Sequence, residues 1–169
     1  VVGKLGGIDI RDYKLSELRR RMAVVLQDPY LFDTDIQENI SLGDSSLSEL
    51  RIAEAIKRTQ AQEVINRQRE GLSAKVGERG SKLSAGERQL IAFARAMARD
   101  PEVLILDEAT SALDHETECE IIEEIKHLKG RVTLIVIAHR LTTVQQCDII
   151  YKMDQGHIVD SGTPNRILN

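Results

Sequence analysis

Two adjacent carboxylates, Asp107 and Glu108, close the apolar run Val103-Leu104-Ile105-Leu106. Ligands of an open α/β sheet sit beyond the carboxyl ends of its strands. A pair placed there suits metal-assisted hydrolysis, with Asp107 holding a water on Mg2+ and Glu108 polarising an attacking water. By itself, an Asp-Glu step at a strand end more often starts a turn or a helix than marks a site. A second candidate is Leu83-Ser84-Ala85-Gly86-Glu87, at the start of a helical pattern. Free backbone N–H groups at a helix start suit a phosphate. Ser84 and Glu87 also have capping-box spacing, which stabilises a helix with no ligand at all, so both readings stand. His139 follows the apolar stretch Val132 to Ala138, and Gln27 follows Met22 to Leu26. Glu108, His139 and Gln27 thus end three apolar strands at one sheet edge.

The elements that must position these groups follow from the pattern. Gly7 to Ile10 alternates like a half-buried strand, and Leu15 to Arg21 reads as a short polar helix or turn. Residues 33–99 turn helical, with Thr34/Gln37 and Ser46/Glu49 at capping-box spacing and Ile52, Ala55, Ile56 and Thr59 along one face. A loop from Gly71 to Lys82 carries Val76-Gly77-Glu78-Arg79-Gly80, and the next helix has the inner stripe Leu90, Phe93, Ala94 and Met97. Val103–Leu106 has the unbroken apolar run of a parallel strand covered on both faces. The helix after Asp114 carries Glu116 and Glu118 in its first turn, Lys126, His127 and Lys129 in its last, and Gly130 as a stop. Ile121, Ile125 and Leu128 form its buried stripe, and Ile149 to Val159 reads as a hairpin turning at Asp154-Gln155-Gly156. Strand–helix–strand order predicts an α/β fold: a parallel sheet core with an inserted helical subdomain.

Composition narrows the class. The 169 residues carry 23 Lys+Arg against 27 Asp+Glu, a net charge of −4, so no concentrated basic face for nucleic acid is expected. Arg19-Arg20-Arg21 reads as a solvated helix face. With 41% apolar residues the chain is no disordered tail, and no apolar run approaches the length of a membrane span. Cys119 and Cys147 form neither a disulfide framework nor a CxxC metal pair, as expected for a reduced, cytosol-facing domain.

These motifs, in order and spacing, resemble the nucleotide-binding domain of an ABC transporter over nearly the whole chain. Gln27 matches the Q-loop, Leu83 to Glu87 the signature, Val103 to Glu108 the Walker B strand, Ser111-Ala112-Leu113-Asp114 the D-loop and His139 the switch histidine. Tyr30-Leu31-Phe32, Val76 to Gly80 and Ala138-His139-Arg140-Leu141 resemble the exporter branch. The resemblance implies a P-loop NTPase core at residues 1–27 and 96–169 and a helical subdomain at 28–95. It implies ATP and Mg2+ sandwiched in a head-to-tail pair with a second such domain, homo- or heterodimeric. Glu108 is then the general base, and His139 contacts the γ-phosphate and the attacking water. Asp107 and Gln27 serve the metal, and Gln27 links the site to the membrane part. Ser84, Gly86 and Glu87 face the partner's ATP, Asp114 crosses the interface, and Glu78 and Tyr30 lie where the transmembrane part couples. That part is expected on the same full-length chain, which places this domain at the cytoplasmic face of a membrane.

The sequence departs from the family pattern in two places. It holds no G-x-x-x-x-G-K-[ST]; the one Gly-Lys pair, Gly3-Lys4, is followed by Leu5. The family's phosphate loop precedes the strand matched by Gly7 to Ile10, so the expectation is a domain truncated before that strand and inactive alone. The signature reads Ser84-Ala85-Gly86-Glu87 where the family has Ser-Gly-Gly-Gln. Ala85 adds a Cβ near phosphate, and Glu87 brings negative charge unless capping turns it away. Two alternatives remain open: a non-catalytic partner chain that lends its signature to another subunit's ATP, and a soluble ABC ATPase of repair or translation.

Overall fold

The computed structural model describes residues 3–128, 130–137, 144–145 and 147–168. Its centre is a three-stranded parallel sheet in the order β3 (Met22–Val25), β4 (Val103–Asp107), β5 (Thr133–Ile137). Ala23, Leu104 and Leu134 share one register row, and Val25, Leu106 and Val136 the next but one. Before it lie a two-residue ribbon, β1 (Lys4–Leu5) with β2 (Ile8–Asp9), and helix α1 (Leu15–Arg21). The strand expected over Gly7 to Ile10 is therefore shorter: Asp9 caps a 3-10 turn at Ile10–Asp12 by accepting from the Arg11 N–H.

Between β3 and β4 run α2 (Ile36–Ser41), α3 (Glu49–Arg58), α4 (Ala61–Arg67) and α5 (Ala85–Ala98). Helix α5 packs on α2, α3, α4 and β3 and gives the core more buried residues than any other element, with Ile91, Phe93 and Ala94 almost wholly buried. It is continuous across residues 95–96. The two other expected capping boxes do not form where the spacing placed them. Asp35, not Thr34, caps α2 by accepting from the Glu38 N–H at 2.8 Å, because the Thr34 hydroxyl is taken by Asn39. Ser48, not Ser46, caps α3, because Ser46 folds onto Asp44 through both its N–H and its hydroxyl. The Ser84/Glu87 box on α5 does form.

Helix α6 (His115–His127) links β4 to β5, with Ile121 and Leu128 buried. The hairpin is β6 (Ile150–Asp154) with β7 (His157–Gly162), followed by the short α7 (Pro164–Ile167). Val103–Leu106 is buried apart from the half-buried Ile105, but its neighbours β3 and β5 are covered on one face only. Ala23, Val25, Leu104 and Leu106 are buried in the core that α5 and α6 share. The opposite face leaves Val24 50%, Ile135 47% and Ile137 51% exposed. An unbroken apolar run reports how apolar a strand is, not which described segment covers it. No helix among the described residues is long and apolar enough to cross a membrane.

Candidate functional site

The sheet register brings the first group of candidates together. Val25 pairs with Leu106, so Gln27 and Glu108 each lie two residues beyond that row, on neighbouring strands at one carboxyl edge. Asp107 is the last residue of β4, in register with Ile137. Asp107 and Glu108 are half-buried, whereas Gln27 is exposed. Glu108 has φ 47°, in the left-handed region that a side chain with a Cβ rarely takes. Its N–H donates to the Ile137 carbonyl at 2.9 Å, which fixes that turn against the neighbouring strand. Such conformations cost energy and persist where the surroundings over-determine them. His139 lies outside the described residues.

The second group gathers at the start of α5. Ser84 Oγ accepts from the Glu87 N–H at 3.2 Å, and Glu87 Oε2 accepts from the Ser84 N–H at 2.8 Å. The Glu87 carboxylate therefore points back to its own cap, with Arg67 3.7 Å from its other oxygen. Its charge is tied down rather than aimed forward along the helix axis. Gly86 abuts the loop after β4: a Cβ there would stand 3.2 Å from the Ala112 carbonyl oxygen. The loop ends at Asp114, whose carboxylate accepts from both the N–H and the hydroxyl of Thr117. Those bonds, the N–H first, hold Asp114 below the usual carboxylate range. Inside the loop, Thr110 donates its hydroxyl to the buried Glu118 at 3.0 Å. Ser84, Gly86 and the Ser111–Asp114 loop thus form one surface.

Tyr30 and Glu78 meet in a third place, a cleft of about 280 Å3 lined also by Asp28, Arg79, Ser81 and Arg88. Tyr30 stacks edge-on to Phe32 at 5.2 Å, and the Arg79 guanidinium lies 5.9 Å over the Tyr30 ring. Gly80, at φ 74°, has no room for a side chain: a Cβ would fall 2.8 Å from Arg88 Cδ. The cleft is braced from inside. Asn39 is fully buried, accepts from the Phe32 N–H and donates to the Phe32 carbonyl. Arg95 donates to the Asn39 carbonyl, to Asn39 Oδ1 and to the Tyr30 carbonyl. Burial, with Arg99 nearby, pushes Arg95 down to about 10, which still leaves it charged at neutral pH.

Sequence reasoning missed Asn39, Gln89, Arg95 and Glu118. A signal existed for Gln89: it stands four residues before Phe93 and so shares the inner stripe of α5, where a polar side chain must have a partner.

Known proteins resemble this chain over nearly its whole length. A family model described as ABC transporter matches residues 3–111. The heterocyst differentiation ATP-binding protein HepA of a Nostoc species is 47% identical over 162 residues, 96% of this chain and 27% of its own length. YheH of Bacillus subtilis, described as a probable multidrug resistance ABC transporter ATP-binding/permease protein, is 43% identical over 97% of this chain and 24% of its own. The solved structure of a bacterial Atm1-family ABC exporter with ATP bound superposes with a TM-score of 0.90 at 38% identity, over 96% of this chain and 28% of that one. The chain thus spans about a quarter of the length of each of these relatives. With the family model over residues 3–111, the relatives at 47% and 43% identity and the exporter fold all in agreement, the chain belongs to the ABC transporter family and is an ATP-binding domain of its exporter type.

Proposed function

We propose that this domain hydrolyses ATP to drive an exporter, working head to tail with a second domain of its kind. Residues 1–27 and 96–169 serve as the ATPase core and 28–95 as the helical subdomain. The observation that carries the reading is Glu108, held at φ 47° at the carboxyl edge of the central strand, level with Gln27 beyond the neighbouring strand. Asp107 and Gln27 offer a carboxylate and an amide oxygen at that edge, the hard donors that Mg2+ takes, so these residues fit the ion. When bound, Mg2+ neutralises charge on the phosphate oxygens.

The chain's own groups do the rest. Glu108 accepts the proton of the attacking water, and its pinned backbone keeps the carboxylate at the edge. His139 orients that water and the γ-phosphate. Across the pair, the Ser84 hydroxyl and the N–H groups at Gly86 hold the γ-phosphate of the partner's ATP, as a helix N-terminus does for anions. Glu87 assists by fixing Ser84 rather than by touching phosphate. Asp114, at the end of a loop in contact with Gly86, faces the other domain. Tyr30 and Glu78, lining one cleft, receive the transmembrane part, which places the domain at the cytoplasmic face of a membrane.

Phosphate affinity in such sites comes mainly from a phosphate loop and its lysine. The 169 residues contain no G-x-x-x-x-G-K-[ST], so the chain by itself should bind ATP very weakly and turn over none measurably. In the full-length protein, Glu108→Gln should lower turnover by about 10²–10⁴-fold while ATP binding persists. Wild-type turnover in that variant would remove Glu108 from the base position.

A further inference from the structure

Gln89 is the one buried side chain among the described residues with an unpartnered polar atom. It is fully buried on α5, its Nε2 donates to the Leu26 carbonyl at 3.0 Å, and its Oε1 has no hydrogen-bond partner. Orphaned buried acceptors are unfavourable, and a methionine would fill similar space without one. Packing therefore does not explain the amide; the bond to Leu26 does. Leu26 is the residue before Gln27. The same helix grips the other end of this loop, where Arg95 Nη1 donates to the Tyr30 carbonyl at 2.9 Å. Between them, Arg88 Nη2 stands 4.0 Å from the Asp28 carboxylate. Helix α5 thus holds the chain on both sides of Gln27, while Ser84 and Gly86 sit at its N-terminal end.

We propose that Gln89 is a positioning residue for hydrolysis: through the Leu26 carbonyl it makes Gln27 follow the signature helix, so that engaging the partner's ATP and placing Gln27 on the metal become one movement. This rests on the reading of Gln27 as a metal-side residue given above. Gln89 touches neither nucleotide nor ion; it acts only through the backbone that carries Gln27. Arg95 secures the far end of the loop, but at three residues' distance from Gln27, so Gln89 has the shorter lever.

The test uses the purified full-length protein, with ATP turnover followed over a Mg2+ titration at saturating ATP. Gln89→Met keeps the volume and removes the donor; Gln89→Glu replaces the donor with an oxygen facing the Leu26 carbonyl. Both should raise the Mg2+ concentration for half-activity by about tenfold, the equivalent of one lost hydrogen bond. Gln89→Met should leave the thermal midpoint little changed, and Gln89→Glu, which buries a carboxylate, should lower it. Gln27→Ala should shift it likewise, and Gln27→Ala combined with Gln89→Met should be no worse than Gln27→Ala alone. Penalties that multiply, or a Gln89→Met protein with wild-type Mg2+ dependence, overturn the role of Gln89 and leave that of Gln27 intact. A Gln27→Ala protein with wild-type Mg2+ dependence overturns both. If neither Gln89 variant folds, Gln89 is a structural group and the inference fails.

Discussion

The bracing of the Tyr30 cleft should be a principal source of this domain's stability, and Asn39→Ala measures it. Asn39 Oδ1 accepts from the Phe32 N–H at 2.8 Å and from Arg95 Nη2 at 3.0 Å, while its Nδ2 donates to the Phe32 carbonyl at 3.0 Å. Truncation strands two donors, the Phe32 N–H and Arg95 Nη2. The Phe32 carbonyl keeps the Thr34 N–H, and the Asp35 carbonyl, which Nδ2 also reaches, keeps the Asn39 N–H. Each stranded buried group costs about 1–3 kcal/mol, and the low end applies to the half-exposed Phe32 backbone. The expected loss is therefore about 2–4 kcal/mol, a large share of the roughly 5–15 kcal/mol that holds a domain folded. For a chain of this size it corresponds to a fall in melting temperature of about 5–15 °C. Asn39→Asp should lose less, because a carboxylate still accepts from Phe32 and pairs with Arg95. The assay is urea unfolding of the 169-residue chain followed by circular dichroism, with Arg95→Met and the double variant completing a cycle. A loss below about 1 kcal/mol for Asn39→Ala, or additive effects of the two substitutions, would show that water replaces the network and that the cleft is not braced this way.

Other expectations follow from the same surfaces. Ser84→Ala should cost about 1 kcal/mol of stability through the lost cap, and Glu87→Gln much less, since an amide oxygen can still accept from the Ser84 N–H. A larger loss for Glu87→Gln than for Ser84→Ala in urea unfolding would sink that ranking. Gly86→Ala gains helix propensity of about 1 kcal/mol but sets a Cβ 3.2 Å from the Ala112 carbonyl, so stability should barely change while turnover of the full-length protein falls. Unchanged turnover would show that the loop yields freely. Asp114 is held below its usual range by the Thr117 N–H and hydroxyl, so its contribution is fully present above the ordinary carboxylate pKa and is lost as pH falls through the lowered one. Asp114→Ala should flatten the acid limb of the stability–pH curve, and an unaltered limb in thermal melts would count against the cap.

How much of this was legible in the residues depends on the range of the interaction. The Ser84/Glu87 cap, the β6–β7 turn at Gln155-Gly156 and the acid-to-base ordering of α6 are local, and each formed as read. The Walker B edge was also legible, because an apolar run ending in two acids fixes both the strand and the place where it stops. The capping boxes at Thr34 and Ser46 failed through competition one or two residues away: Asp35 is the stronger cap, and Asp44 captures Ser46 before Ser46 can cap anything. No spacing rule sees such a contest, because the winner depends on where the side chains of Asn39, five residues on, and Arg99, 55 residues away, come to lie. The same holds for the groups that position the site. Gln89 binds a carbonyl 63 residues away in sequence, and Arg95 one 65 residues away. What the sequence shows is that α5 carries an amide and a guanidinium among apolar neighbours. Buried polar groups must find partners, so their presence signals that two segments are tied, and only the folded chain shows that the tied segment is the one bearing Gln27.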